Sequence, residues 1–173
     1  TLGNCVTCHA MPNGVAPKAP FTNFGYASLG TPRNPALPDN ADPAFFDLGV
    51  CGPFRAGVTR QDWCGLFRTP SLRNSARRPV FMHNGVFTRL DQVLDFYNSR
   101  DSAPERWFSS LNGQPQRFDD LPPALRGTVN QNAPFGPRDV QRMNAQQLKD
   151  LQCFLETLTD GYVPGTSPGP SCG

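Results

Sequence analysis

Two stretches of the chain repeat apolar residues at helical spacing, and the first lies near the middle. Its stripe follows the i, i+3, i+4, i+7 pattern of one helix face and consists of Leu90, Val93, Leu94 and Tyr97. Thr88 and Asp91 form a capping-box pattern at its start. The spacing therefore predicts an amphipathic helix from about Leu90 to Asn98, with the tyrosine on its apolar face.

The second stretch lies near the carboxyl end. Asn144 is a favoured N-cap residue and Gln147 stands at the third helical position, so a helix is predicted to begin here. Gly161 is predicted to stop it. The apolar stripe of this helix consists of Leu148, Leu151, Phe154, Leu155 and Leu158.

The remaining chain is predicted to be mostly loop. Residues 10–42 are rich in Pro, Gly and Asn without a sustained period, which predicts an ordered wrapping loop. A short helix is predicted from Asp42 through Leu48 and another after Thr69, because Asp42 and Thr69 each precede a proline. Another is predicted near 122–126. Since strand signals are weak, we expect an all-α, loop-rich fold with few or no strands, in a single domain over residues 1–173.

Composition and charge exclude two classes of partner. Lys and Arg number 16 against 14 Asp and Glu, and this net charge of +2 is too small for a nucleic-acid binder. No apolar run approaches the roughly 18 residues of a membrane span. The chain begins at Thr1 without an initiator Met or a signal peptide, so we expect a processed or truncated product.

The cysteine spacing gives the strongest chemical signal. Cys5, Cys8 and His9 form a C-x-x-C-H motif, the attachment pattern of c-type haem. In that chemistry both thiols bond covalently to the haem vinyl groups, and the histidine becomes the proximal ligand of the iron. At this composition such a match arises by chance in roughly two chains in a thousand. The motif therefore favours one covalent haem c.

Two other uses of a C-x-x-C pair are weighed against haem. A structural zinc site needs a second ligand pair at metal-binding spacing, and the sequence offers no other C-x-x-C or H-x₃₋₅-H. A thioredoxin-like redox pair follows a strand in a βαβ unit, whereas Cys5 lies almost at the chain start. Both uses are therefore disfavoured.

The other cysteines indicate disulfides and an oxidising compartment. They are Cys51, Cys64, Cys153 and Cys172. Four cysteines allow three connectivities, and sequence alone leaves the choice open. Sequence proximity favours Cys51–Cys64 and Cys153–Cys172, and the alternative is that one pair is buried and reduced.

Three runs of sequence carry a resemblance to a known family: residues 67–74 (FRTPSLRN), 82–85 (MHNG) and 90–98 (LDQVLDFYN). With the haem motif and the last helix, they resemble the C-terminal haem domain of the MauG and bacterial dihaem cytochrome c peroxidase family. The resemblance implies a cytochrome c-like fold. Members of that family are periplasmic oxidoreductases with two c-type haems in two such domains. One haem reacts with peroxide, and the other exchanges electrons or stores oxidising equivalents.

The ligand opposite His9 separates two branches of that family. Peroxidases place a Met on the helix after the His-x-Gly loop, and MauG-like members place a Tyr there. Fourteen residues after His83 this chain has Tyr97. The resemblance therefore implies Tyr97 as the distal iron ligand and catalytic residue, and a phenolate is a good ligand for ferric iron. From the residues alone, a core tyrosine bonded to a backbone carbonyl is the alternative.

Other distal ligands stay open at this point. Met82 is the main alternative to Tyr97, and His83, Met143 or an open site are the remaining ones. A His-Asn-Gly turn favours a hydrogen-bonding role for His83. Met is a common gap-filler, which favours packing for Met82.

The resemblance also implies a calcium ion shared with a partner domain and bound by backbone carbonyls before the His-x-Gly loop. The matching stretch, 77–79, departs from the family pattern, because one residue is inserted before His83 and Arg replaces Thr.

Only four residues precede Cys5, so the helix that usually packs across the 148–158 stripe is missing. We expect a second polypeptide or a cleaved N-terminal domain to cover that stripe, or else a truncated chain that exposes it.

Together these expectations predict a haem domain of a MauG-like dihaem peroxidase or oxidase. It would be exported to the periplasm and act as an oxidoreductase with a partner that carries a second c-type haem. Its own haem would relay electrons or store oxidising equivalents for that peroxide-reactive haem. The alternative is a stand-alone monohaem electron-transfer cytochrome c.

Overall fold

The computed structural model describes residues 2–11, 19–54, 58, 60–136 and 142–172. Helix α1 spans Leu90–Ser99 and helix α2 spans Ala145–Thr157. Four two-residue strands form two antiparallel ladders, and they are β1 (Tyr26–Ala27) with β2 (Phe67–Arg68), and β3 (Ser110–Leu111) with β4 (Gln114–Pro115). Short 3₁₀ helices lie at Cys5–Thr7, Pro38–Ala41, Gln61–Trp63, Ser75–Arg77, Pro104–Arg106 and Pro123–Thr128.

Loops dominate this architecture, since helix accounts for 29% and strand for 8%. The prediction of a helical, loop-rich fold with few strands is therefore confirmed in outline, and the arrangement is consistent with a cytochrome c-like domain. The predicted short helix near 122–126 is present as the 3₁₀ helix Pro123–Thr128. The predicted wrapping loop over 10–42 lies partly outside the described residues.

Helix α1 forms where the apolar stripe predicts it, but its start is capped by a different residue. Gln92 Oε1 accepts hydrogen bonds from the backbone N–H groups of Thr88 and Arg89, each at 3.1 Å. Asp91 instead pairs with the Arg89 side chain. The predicted Thr88–Asp91 cap is therefore wrong by one position, because Gln92 is long enough to reach back over the first turn.

Helix α2 begins as predicted. Asn144 Oδ1 accepts from the Gln147 N–H, and Gln147 Oε1 accepts from the Asn144 N–H, both at 2.9 Å. The helix ends at Thr157, and Gly161 lies in the turn beyond it with φ +85°. Where α2 faces α1, Leu155 of α2 and Leu158 just after it pack with Leu94 of α1 in a buried leucine cluster.

The predicted helix over Asp42–Leu48 is wrong. Asp42 Oδ1 accepts from the Ala44 N–H at 2.8 Å, which closes a turn and does not start a helix. The Arg33 guanidinium then bonds the carbonyl oxygens of Asp42 and Phe45. The Asp42 carbonyl also accepts from the Phe45 N–H at 3.1 Å, so the segment closes one turn and then stays irregular.

The predicted helix start at Thr69 is also wrong. The Thr69 N–H donates to the Gly25 carbonyl at 2.8 Å, which continues the pairing of β1 with β2. The chain therefore stays extended through Pro70. A 3₁₀ helix follows only at Ser75–Arg77.

Both disulfides favoured by proximity are formed, which confirms that prediction. Cys51–Cys64 closes a loop beside the 3₁₀ helix that ends at Trp63. Cys153–Cys172 ties the carboxyl-terminal tail to α2. In the described part of the chain, no helix combines the length and the apolar character that a membrane span requires.

A second core contains a buried ionic cluster. An aromatic cluster, which we define as Phe87, Phe96, Phe108, Phe118 and Phe135, fills this core. The side chain of Arg100 is 0% exposed inside it and pairs with Asp101 at 2.6 Å. Arg117 contacts the same carboxylate from the rim. Burial alone would raise the pKa of Asp101, but the hydrogen bonds from Arg100 and Gly136 outweigh it and the pKa is lowered.

We expect Asp101→Asn to destabilise the protein by about 3 kcal/mol, because it leaves the Arg100 charge buried without its partner. A carboxyl whose folded pKa is lowered contributes stability above its unfolded pKa, and this contribution is lost as the pH falls through the folded value. Urea unfolding at pH 7 and at a pH of about 3 measures both effects, and the variant should lose part of the acid sensitivity. Asp62→Asn, in an exposed pair with Arg60, is the matched control and should change little. Equal effects of the two variants would contradict the prediction.

Candidate functional site

The C-x-x-C-H motif forms a tight turn at the amino end of the described chain. Cys5–Thr7 is a 3₁₀ helix, and the backbone N–H groups of Cys8 and His9 both donate to the Cys5 carbonyl, at 3.2 and 2.8 Å. This turn places the imidazole directly after the second sulfur. Neither Cys5 nor Cys8 is in a disulfide. Burial is the main cause that raises the pKa of the Cys5 thiol.

His9 is held by a backbone carbonyl. Its Nδ1 lies 3.0 Å from the carbonyl oxygen of Phe21. Phe21 adopts φ +48°, a left-handed conformation that costs energy for a bulky residue and that is kept where the surrounding structure enforces it. With Nδ1 donating to this oxygen, Nε2 is the nitrogen left for a metal. Burial lowers the pKa of His9, and this effect outweighs the hydrogen bonds to the Phe21 and Pro70 backbone, which raise it. The lowered pKa favours the neutral imidazole that binds metals.

The loop after the motif clamps it from outside. The Asn23 N–H donates to the Cys8 carbonyl at 2.8 Å, and Asn23 Nδ2 donates to the Thr7 carbonyl at 3.1 Å. The motif is therefore held by Phe21 and Asn23, which follow it by about a dozen residues in the chain. These hydrogen bonds fix the short turn.

Tyr97 reaches the motif from α1. Its ring packs on Phe135, with ring centroids 5.0 Å apart, and against the edge of Phe96 at 6.2 Å. Burial raises the pKa of the Tyr97 phenol, the Cys8 and Cys5 sulfurs raise it further, and Arg100 lowers it. The fold therefore places Tyr97 within electrostatic range of Cys5 and Cys8.

The structure places the alternative ligands in different surroundings. Met82 packs on the aromatic cluster, with its backbone at φ +68°. The His83 ring stacks on Phe67 at 3.6 Å, and its Nε2 is 3.0 Å from Asp120 Oδ2. His83 is thus engaged on both its face and its Nε2 edge.

Met143 is the alternative that comes near the motif. A methyl group placed on Gly3 would lie 3.0 Å from Cys5 Sγ and 3.8 Å from Met143 Sδ, so all three residues meet there. The Asn98 side chain holds the Met143 backbone with two hydrogen bonds of 2.9 Å. This pairing fixes Met143 beside the residue that follows Tyr97.

Free thiols, an oriented imidazole and a buried phenol form the donor set of this site. Two thiols for the vinyl groups and two axial donors, His9 and Tyr97, fit a c-type haem. Within the described ranges, no group of three or more His, Cys, Asp and Glu side chains comes together to hold a metal ion. The thiols therefore lack the additional ligands of the zinc site considered above.

Two residues that sequence reasoning missed lie next to Tyr97. Arg100 is fully buried, and Phe135 supports the tyrosine ring. An arginine at a helix end is ordinarily solvent-exposed, so nothing in the local sequence signals that Arg100 is buried. Phe135 lies in a segment of polar loop character, where a lone phenylalanine carries no periodic signal.

Comparisons with known proteins show which proteins the chain resembles. MauG of Paracoccus denitrificans is 36% identical over 163 residues, which cover 91% of this chain and 39% of that protein. A cytochrome c peroxidase of Denitromonas iodatirespirans, IdrP1, is 30% identical, with coverage of 90% and 36%. The crystal structure of the dihaem peroxidase BthA from Burkholderia thailandensis superimposes with a TM-score of 0.80 at 39% identity, and covers 99% of this chain and 42% of that one. No protein-family model matches the chain.

Fold and donor set thus define a domain of the haem peroxidase class of oxidoreductases. The chain belongs to the MauG and dihaem cytochrome c peroxidase family, as the sequence resemblance predicts. It spans about two-fifths of the length of the relatives that it matches.

Proposed function

We propose that this chain is a cytochrome c-like haem domain, over residues 1–173, that relays electrons or stores oxidising equivalents for a peroxide-reactive haem on a partner domain or chain. The observation that carries the proposal is the proximity of Tyr97 to the C-x-x-C-H motif, because Asn98, next to Tyr97, holds Met143 beside Cys5. Tyr97 and the motif stand almost ninety positions apart in the sequence. Their juxtaposition supports one covalent haem c between His9 and Tyr97.

Each residue has a defined role in this proposal. Cys5 and Cys8 anchor the haem through thioether bonds, and His9 Nε2 is the proximal ligand, oriented by the Phe21 carbonyl. Tyr97 supplies an anionic oxygen as the distal ligand. The haem supplies the redox chemistry when bound.

The distal ligand determines what the site does. With His9 and Tyr97 both holding the haem, Tyr97 and the aromatic rings beside it would keep peroxide away from the haem. A hard anionic oxygen favours ferric iron and lowers the haem potential, whereas a thioether raises it. The domain is therefore suited to relay or storage and takes part in catalysis as the electron-exchanging half of an oxidoreductase.

Partners, location and calcium are part of the same proposal. The dihaem relative is more than twice the length of this chain, which supports a second haem domain on the same or another polypeptide. Two disulfides support an oxidising compartment such as the periplasm. A calcium ion at residues 77–79 would use backbone carbonyls and need oxygen ligands from that second domain.

Haem content of the natively purified protein tests the proposal. We expect haem staining after denaturing electrophoresis to label this chain, with an intact mass that corresponds to one haem, and a co-purifying domain or chain to carry a second. Addition of peroxide should oxidise both haems in that assembly. A lone haem-bearing monomer whose spectrum peroxide leaves unchanged would instead establish the stand-alone electron-transfer cytochrome c.

A further inference from the structure

The Arg100 guanidinium is the most enclosed charge among the described residues, with a side chain that is 0% exposed. It lies immediately after the last residue of α1, three positions beyond Tyr97. Nε and Nη2 donate to Asp101 Oδ2, at 3.0 and 2.6 Å. Nη1 donates to the Leu29 carbonyl and Nη2 to the Asn130 carbonyl, each at 2.8 Å. These bonds fix the plane of the guanidinium.

That plane stacks on the ring that supports Tyr97. The Arg100 Cζ atom lies 3.8 Å from the centroid of Phe135, and the Phe135 ring packs on Tyr97 at 5.0 Å. The three side chains therefore form a continuous contact from the ionic cluster to the phenol. A stacked guanidinium of this kind limits the positions that the aromatic ring can take.

Arg100 and Arg117 share one carboxylate but differ in what else they contact. Asp101 faces Arg100 on one side and Arg117 on the other. Arg117 lies over the ring of Phe118, whereas Arg100 stacks on Phe135. Arg100 is therefore the member of this cluster that contacts the ring supporting Tyr97.

We propose that Arg100 is a positioning residue for the distal ligand, which holds Phe135 against the Tyr97 ring. This inference rests on the proposed function, in which Tyr97 binds the iron. It assigns a role to a buried arginine that would otherwise serve stability alone. Loss of Arg100 should weaken the hold of Tyr97 on the iron more than it changes any other property of the haem.

Competition with imidazole in the ferric holoprotein measures how tightly Tyr97 binds the iron, because imidazole binds the iron only when Tyr97 dissociates from it. We expect Arg100→Gln to raise the apparent affinity for imidazole on the order of tenfold, because Phe135 loses the stacked guanidinium that holds it against Tyr97. In the Tyr97→Phe background the same substitution should leave the affinity unchanged. Arg117→Gln is the matched control, since it removes an equal charge from the same carboxylate without touching Phe135, and it should have little effect.

A second variant keeps the test valid where Arg100→Gln fails to fold. Phe135→Leu removes the supporting ring and should also raise imidazole affinity only when Tyr97 is present, whereas Phe108→Leu, in the same cluster but packed on Phe118, should not. Equal effects with and without Tyr97, or no effect of either variant, overturn the role of Arg100 and leave the ligand assignment intact. If Tyr97→Phe by itself leaves imidazole affinity unchanged, the ligand assignment fails, and the role of Arg100 fails with it.

Discussion

Replacement of both Cys5 and Cys8 by alanine is expected to abolish covalent haem and to reduce the yield of mature protein severely. In the described part of the chain only about six α-helical turns, those of α1 and α2, contribute regular packing. The cofactor is therefore expected to organise much of the core, as metals do in other small domains. Haem staining and absorbance of the purified variant measure the loss. Single replacements should leave at most one thioether and an intermediate yield.

The matched control removes a different pair of cysteines. Cys51→Ala with Cys64→Ala opens a disulfide of sequence separation 13 and should cost about 3 kcal/mol of stability while the haem stays attached. Normal amounts of a stable, haem-free protein from the Cys5 and Cys8 double variant would refute the c-type haem assignment.

Tyr97→Phe is expected to open the distal position and convert the ferric iron to high spin. The phenylalanine keeps the ring contacts with Phe96 and Phe135 and removes only the oxygen, so the effect reports ligation and not packing. The reduction potential should rise on the order of 100 mV, since axial ligands set haem potentials over roughly 0.8 V and an anionic oxygen favours the ferric state. Absorption spectra, electron paramagnetic resonance and a redox titration measure these changes.

Two further substitutions sharpen the interpretation. Tyr97→Met should give a six-coordinate haem of higher potential, with a smaller capacity to hold an oxidising equivalent. Met82→Leu should leave the spectrum unchanged and cost about 1 kcal/mol in packing. The assignment of Tyr97 is wrong if Met82→Leu produces high-spin iron while Tyr97→Phe leaves the spectrum as it was.

The positions of α1 and α2 were predictable because their determinants are local. An apolar stripe at helical spacing and a cap a few residues away act within one or two turns, as Asn144 and Gln147 do at the start of α2. The two predicted helices that are absent show the limit of this reasoning. Asp42 and Thr69 carry good starting signals, yet Arg33 binds carbonyls of the first segment and Gly25 pairs with the second as in a strand ladder.

The sequence by itself determined the attachment motif Cys5–His9 and the family resemblance that points to Tyr97. It only favoured the two disulfide pairs, which the structure then decided. These features act over short stretches or repeat a known pattern. Only the tertiary structure decided which residues support each ligand. Phe21 takes a strained backbone angle, and its carbonyl oxygen faces His9. Arg100 lies buried against Phe135, where the carbonyl oxygens of Leu29 and Asn130 accept its hydrogen bonds. Partners so far apart in the chain meet only when the whole chain has folded, so no local pattern encodes them.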